Sequence, residues 1–110
     1  LLNFWATWSL TWILEMPHLD KLQLNKNVEV FPINVEVKNQ HKTEIFFKSL
    51  EIKNLSIFFD SDNKLVNLFR LRGLPTTIIL NSDKNEVARI IGAVDVSDEK
   101  FIKWIESISN

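Results

Sequence analysis

The chain has 110 residues, of which 45% are hydrophobic and 25% are charged, and it contains no cysteine. A chain of this length builds one hydrophobic core, so we expect a single domain over residues 1–110. The lack of cysteine excludes disulfide bonds, thiolate-bound metals and thiol chemistry within the chain. A formal net charge of −1 offers no basic field, so we expect no nucleic-acid partner. No apolar run approaches the roughly 18 residues of a membrane-spanning helix, so no membrane segment is predicted.

Hydrophobic periodicity predicts alternating strands and helices in the first half of the chain. Residues 1–6 form a short aromatic strand, and residues 13–25 repeat leucine and methionine at helical spacing. β-branched residues nearly alternate over 28–37, which predicts a second strand that runs into a loop. Residues 42–50 place apolar side chains on one helical face, and residues 55–59 are a short extended segment. The pattern is therefore β-α-β-α followed by an extended stretch.

The second half predicts a short helix, a hairpin and a last helix. Asp60 and its neighbours supply capping groups for a third helix, which Gly73 ends. The TTIIL run at 76–80 is apolar on both faces, as in a central strand, and residues 86–91 form its hairpin partner. Ser97 caps the final helix. The order predicts an α/β fold with a mixed sheet that ends in an antiparallel hairpin and has helices on both faces.

Two separated motifs carry a resemblance to a known family. The segment from Asn3 to Pro17, NFWATWSLTWILEMP, resembles the active-site pattern N-F-W-A-T-W-C-x-x-C-x-x-E-x-P of TlpA/ResA-type thioredoxin-like thiol-disulfide oxidoreductases. The run Gly73-Leu74-Pro75-Thr76-Thr77 is similar to the loop before that family's buried strand, where the proline is cis and faces the redox pair. The resemblance implies a thioredoxin-like fold over nearly the whole chain, without the N-terminal strand or hairpin that the family usually adds.

The two positions that define the family's chemistry differ in this chain. Ser9 stands where the family has its attacking cysteine, and Trp12 stands where it has the resolving cysteine. Exchange needs a thiolate of lowered pKa and a second thiol to release the mixed disulfide. A serine hydroxyl supplies neither, so we predict that thiol-disulfide exchange is lost. Ser9 also lacks the neighbouring base that a serine hydrolase needs, since His18 and His41 are poorly placed, and a helix-capping hydroxyl is its simpler role.

The resemblance implies a binding groove around the former redox pair. Its expected members are Trp8, Ser9, Trp12, Leu74 and Pro75, and its expected occupant is a protein or peptide. Two interpretations of Trp12 stay open: an exposed aromatic platform for a partner, or a plug stacked on Pro75, which we favour. A cis Pro75 would leave the Leu74 backbone free to pair with an extended peptide, as in family members.

Glu15 and Glu36 are candidate auxiliary acids by the same resemblance. The family often keeps an acid near the redox pair at the position of Glu15, and some relatives hold a carboxylate beneath the active site near that of Glu36. The alternatives are a solvated helix residue for Glu15 and an exposed strand-end acid for Glu36. Histidine and acidic residues are otherwise scattered and no glycine-rich phosphate loop occurs, so neither a metal nor a cofactor is predicted.

Three functions stay open at this point. We favour a degenerate binding module that uses the groove. The second is a cysteine-substituted variant of a bacterial envelope thiol-disulfide oxidoreductase, of the kind that acts in disulfide reduction or cytochrome c maturation. The third is a structural domain of a larger envelope protein. The resemblance implies the bacterial periplasm or the outer face of the cell envelope in each case.

Overall fold

A computed structural model describes residues 1–108 and confirms the predicted order of elements. The elements are β1 (Leu2–Trp5), α1 (Trp12–Leu22), β2 (Phe31–Asn34), α2 (Gln40–Ser49), β3 (Phe58–Phe59), α3 (Lys64–Leu68), β4 (Thr76–Leu80), β5 (Glu86–Ile91) and α4 (Glu99–Ile108). None of the helices in this part of the chain is long and apolar enough to cross a membrane.

The strands form one mixed sheet in the order β3-β2-β1-β4-β5. The β1–β2 and β2–β3 pairs are parallel, whereas β4 runs antiparallel to both β1 and β5, so the predicted hairpin is confirmed. Phe4 and Ile91 both pair with Thr76, on its two sides. The next-to-last residue of β1 and the last residue of β5 therefore meet the first residue of β4 at one end of the sheet. We call this the site end, because the loop that carries Ser9 leaves β1 there and the loop that carries Pro75 enters β4 there.

Each face of the sheet has its own core. One face packs against α1, α2 and α4 through buried side chains that include Met16, Phe47 and Ile105. The other face centres on Phe4, Ile33 and Ile78 and is covered by α3 and the loop that follows it. Helices thus lie on both faces, as predicted. The cover is unequal, however, because α3 has five residues and is the only described helix on its face.

Strand β2 is shorter than the predicted 28–37 because side chains take the backbone donors that would extend it. The Val30 N–H donates to Gln23 Oε1 at 2.7 Å, and the Glu36 N–H donates to Asn34 Oδ1 at 2.8 Å. Neither amide is then available for a strand ladder. The alternating pattern therefore overestimated the strand at its start, whereas the change to a loop after Asn34 agrees with the prediction.

The third helix begins as predicted and ends early. Both oxygens of the Asp60 carboxylate accept hydrogen bonds, from the Leu65 and Val66 N–H groups at 3.0 and 2.9 Å. Asp60 therefore supplies capping groups as predicted, although the N-cap position itself is occupied by Asn63. The helix stops before Gly73 because Arg70 adopts a left-handed φ of 52°, which interrupts helical geometry well before the glycine.

The cap of α4 is Asp98, and the prediction of Ser97 is wrong. The Asp98 carboxylate accepts the Lys100 N–H at 2.9 Å, and the Asp98 carbonyl accepts the Ile102 N–H at 3.0 Å. These are the two bonds that define a helix N-cap. The Ser97 hydroxyl donates to the Asp95 carboxylate instead.

Candidate functional site

Ser9 lies in the loop between β1 and α1, at the site end. Its N–H donates to the Ala6 carbonyl at 3.0 Å, and its own carbonyl accepts the Trp12 N–H at 3.2 Å. The N-cap of α1 is Thr11, so the expected helix-capping role of Ser9 is wrong. The residue is 9% exposed, and its hydroxyl makes no hydrogen bond to any described residue. The main chain thus holds Ser9 in place while its side chain is free.

Trp12 is part of the core and is 5% exposed. Its ring centroid lies 5.3 Å from that of Trp5 and 5.2 Å from that of Phe46. The indole Nε1–H donates to the Thr7 carbonyl at 2.9 Å, which satisfies its one polar group. The exposed-platform interpretation is therefore wrong. The plug interpretation is nearer, although the aromatic partners of the plug are Trp5 and Phe46, and Trp12 adds almost no surface to the predicted groove.

The loop before β4 leaves one residue unpaired. The Leu74–Pro75 peptide bond is cis, and the Pro75 carbonyl accepts the Gly92 N–H at 2.8 Å. On the other side of Leu74, the Gly73 carbonyl accepts the Thr76 hydroxyl at 2.6 Å. Leu74 itself is half-buried, and among the described residues neither its N–H nor its carbonyl has a hydrogen-bond partner. The loop therefore presents a free backbone donor and acceptor on a segment that is anchored at both sides.

Exposed apolar side chains surround Ser9 in the sequence. We call Trp8, Leu10, Ile13 and Leu14 the apolar rim; they are 66%, 79%, 47% and 73% exposed. Of these four residues, only Trp8 was predicted to line the groove. The i, i+3, i+4 spacing of Leu10, Ile13 and Leu14 forms a second stripe, distinct from the buried one, that could have identified the rim.

Glu15 is buried, so its interpretation as a solvated helix residue is wrong. It is 5% exposed, and its Oε1 accepts the Val94 N–H at 2.9 Å. Oε2 and the Thr11 hydroxyl are buried without a completed hydrogen bond. Burial raises the pKa of Glu15, and the Val94 N–H and the nearby Thr11 hydroxyl only partly offset this. The side chain ties α1 to the loop after β5.

Glu36 lies under the loop that carries Ser9 and is half-buried, so the exposed strand-end interpretation is also wrong. Its two carboxylate oxygens accept the Thr7 N–H at 2.6 Å and the Thr7 hydroxyl at 2.8 Å. Burial raises the pKa of Glu36, but the bonds from Thr7 and Asn34 and the charge of Lys42 outweigh it, so the pKa lies below its ordinary value. Ionised Glu36 therefore anchors Thr7, whose carbonyl holds the Trp12 indole.

We expect Glu15→Gln to raise the free energy of unfolding near pH 7 and to change it little near pH 4. The pKa of Glu15 in the folded protein lies above its unfolded value of 4.5, so folding favours the protonated acid. The stability that this group contributes is therefore present below pH 4.5 and is lost as the pH rises through the folded pKa. Glutamine keeps an acceptor for Val94 and carries no charge. Urea unfolding across this pH range tests this, with Glu44→Gln on α2 as an exposed control. A stability difference that is independent of pH would contradict the prediction.

Neither histidine of the chain is placed as a general base for Ser9 in the described structure. His18 and His41 are exposed, and neither hydrogen-bonds to the Ser9 hydroxyl. Within residues 1–108, no three His, Cys, Asp or Glu side chains converge to hold a metal ion. A surface cavity of about 700 Å³ lies at the other end of the sheet, beside the start of β1 and the end of β4. The site end therefore offers backbone groups and apolar surface.

The sequence is similar to that of known oxidoreductases, although no protein-family model matches it. It is 28% identical to the thiol-disulfide oxidoreductase ResA of Bacillus cereus, over 98% of this chain and 62% of that protein. Identity to ResA of Geobacillus kaustophilus is 31%, over 97% of this chain and 61% of that protein. The chain thus spans about three fifths of the length of these curated relatives.

Solved structures match the fold closely. The exposed lipoprotein thioredoxin Etrx1 of Streptococcus pneumoniae superposes with a TM-score of 0.80 at 19% identity, over 96% of this chain and 82% of that chain. A thioredoxin-family thiol:disulfide interchange protein of Chlorobium tepidum gives 0.77 at 19% identity, over 96% of this chain and 77% of that chain. The fold and site define a thioredoxin-like domain without a cysteine pair. Within that class, the ResA relatives and the structural neighbours support the TlpA/ResA-type redoxin family.

Proposed function

We propose that this chain is a degenerate member of its family that binds an extended protein segment and carries out no thiol-disulfide exchange. The groove consists of Trp8, Ser9, Leu74 and Pro75, bordered by the rest of the apolar rim. The observation that carries the proposal is the free backbone donor and acceptor of Leu74 at the site end of the sheet.

Leu74 and the apolar rim provide two complementary kinds of contact. An extended peptide beside Leu74 can donate to its carbonyl and accept from its N–H, which is recognition by strand addition. Such bonds are indifferent to peptide sequence. The rim adds side-chain contacts, in which Trp8 at 66% exposure is the largest flat apolar surface. The ligand expected from this combination is an unfolded or extended segment with apolar side chains.

The surroundings of Trp12 favour loss of function over a simple cysteine substitution. A single replacement in an otherwise active enzyme would leave an oversized ring in a site built for a thiol. Here the indole has a hydrogen-bond acceptor in Thr7 and aromatic neighbours on two sides. We also propose that the protein acts outside the cytoplasm, at the bacterial envelope; this is supported by the description of a structural relative as an exposed lipoprotein.

Peptide binding can be measured directly. The probe is a fluorescein-labelled eight-residue peptide of alternating valine and serine, which favours an extended backbone, and the readout is fluorescence anisotropy. We expect Trp8→Ala to weaken binding about tenfold, as for a central aromatic contact. The matched control is Trp104→Ala, which removes a 41% exposed indole from α4 and should change affinity less than about twofold.

A second arm tests the backbone contact without altering the protein. Each peptide amide is methylated in turn, which removes one donor per peptide. At least one N-methyl peptide should lose binding while others keep it. Uniform tolerance of methylation, equal effects of the two tryptophan replacements, or no binding at millimolar peptide would each contradict the proposed function.

A further inference from the structure

A pocket of about 360 Å³ lies beside the loop that leads to Pro75. Its lining residues are Phe69, Arg70, Arg72, Arg89 and Ile91. Ile91 pairs across the hairpin with Thr76, the residue after Pro75. Arg72 precedes Leu74 by two residues, so their Cα atoms are at most about 7 Å apart. The pocket therefore adjoins the free Leu74 backbone.

The charges of this pocket are unbalanced. Arg89 is neutralised by Glu86, since its Nε and Nη2 each donate to one carboxylate oxygen at 2.9 Å. The Arg89 Nη1 also donates to the Arg70 carbonyl at 3.4 Å, which fixes the guanidinium against the loop. Arg70 and Arg72 form no ion pair with any described residue. Two guanidinium groups are thus left without a counter-ion.

Arg70 and Arg72 share their pocket with apolar side chains, so the two charges are not surrounded by water alone. Phe69 and Ile91 add apolar surface to the lining of the pocket, and apolar surface lowers the local screening of a bound ion. Guanidinium groups bind carboxylates through two parallel hydrogen bonds. The formal net charge of the whole chain is −1, which disfavours long polyanions such as nucleic acid. The pocket fits one carboxylate on a ligand that is otherwise apolar.

We infer that Arg70 and Arg72 bind a carboxylate of the extended segment held at Leu74, so that the groove selects peptides with an anionic group beside the bound stretch. This inference rests on the proposed function. The carboxylate has two sources, an acidic side chain within the segment or a free carboxyl terminus. In either case, the pocket adds selectivity for ligand charge to a groove whose backbone bonds are indifferent to sequence.

The test uses the same valine–serine peptide with one central serine replaced by glutamate or by glutamine, each with an amidated C-terminus. At low salt we expect the glutamate peptide to bind about fivefold more tightly than the glutamine peptide, and 0.5 M NaCl should remove most of the difference. The glutamine peptide with a free C-terminus is a third arm. If that peptide binds more tightly than its amidated form, the pocket is assigned to a terminal carboxylate. If the amidated glutamate peptide binds more tightly than the amidated glutamine peptide, the pocket is assigned to a side-chain carboxylate.

The protein variant is Arg70→Gln/Arg72→Gln. It should bind all three peptides with the affinity that the wild type has for the amidated glutamine peptide. The matched control is Lys48→Gln/Lys103→Gln, which removes the same charge from α2 and α4 and should keep the wild-type preference. Circular dichroism verifies that both variants fold.

Equal binding of all peptides by the wild type would overturn the inference and leave the proposed function standing, whereas no binding of any peptide would overturn both. Arginine-dependent binding to phosphatidylglycerol vesicles, without preference among the peptides, would assign the pocket to a lipid surface and also overturn the inference.

Discussion

Replacing Trp12 with alanine is expected to lower the free energy of unfolding by about 3–5 kcal/mol, the usual cost of removing a buried large aromatic side chain. The indole is 5% exposed and fills the space between Trp5 and Phe46. Its removal would leave a cavity there and an unpaired Thr7 carbonyl, which now accepts the indole N–H at 2.9 Å. Chemical unfolding monitored by far-ultraviolet circular dichroism gives the value.

The chain contains a matched control for this experiment. Trp8 is four residues away from Trp12 and is 66% exposed. Trp8→Ala should therefore change the free energy of unfolding by no more than about 0.5–1 kcal/mol. Trp12→Phe keeps most of the ring and loses the bond to Thr7, so we expect an intermediate cost of about 1–3 kcal/mol. If Trp8→Ala destabilises the protein as much as Trp12→Ala, the burial of Trp12 at the former redox position is contradicted.

The largest chemical change is expected from Ser9→Cys, which places one thiol in a chain that has none. Ser9 precedes the first turn of α1, where the helix N-terminus stabilises a thiolate. We expect one equivalent of reaction with Ellman's reagent and a thiol pKa below its ordinary range. Ser56→Cys, in an exposed loop, is the control with a thiol away from any helix start. Equal reactivity of the two thiols at pH 6 would show that the loop no longer favours a thiolate.

A single thiol should not restore catalysis. It can form a mixed disulfide with a substrate, but no second thiol is present to release it. Ser9→Cys should therefore fail to accelerate insulin reduction by dithiothreitol, as should the wild type. Ser9→Cys/Trp12→Cys supplies both thiols and should regain turnover, with a stability loss close to that of Trp12→Ala. Insulin reduction by the wild type above the buffer rate would contradict the loss of exchange chemistry.

The position of Ser9 relative to the first helix was predictable because it depends on local sequence. The run from Asn3 to Pro17 places Ser9 before α1 through residues adjacent in sequence. The aromatic neighbours of Trp12 were not predicted because one of them, Phe46, is brought to it by α2 from 34 residues further along the chain. The arginine pocket was missed for the same reason: Arg70 and Arg72 meet Arg89 only through packing of the α3 loop on β5.

The two acids show how tertiary structure decided the state of single side chains. Glu15 meets Val94 across 79 positions, and Glu36 meets Thr7 across 29. Helical or strand spacing could not show either contact, yet these contacts and burial set the opposite pKa shifts of the two groups.

By itself, the amino-acid sequence determined the order of strands and helices, the resemblance to the redoxin family and the absence of thiol chemistry. These follow from local periodicity and from which atoms each residue carries. Only the tertiary structure decided which of the predicted site residues are exposed and which belong to the core. Burial and hydrogen bonding between distant segments are properties of the folded chain, and they turned Trp12 inward while leaving the Leu74 backbone free.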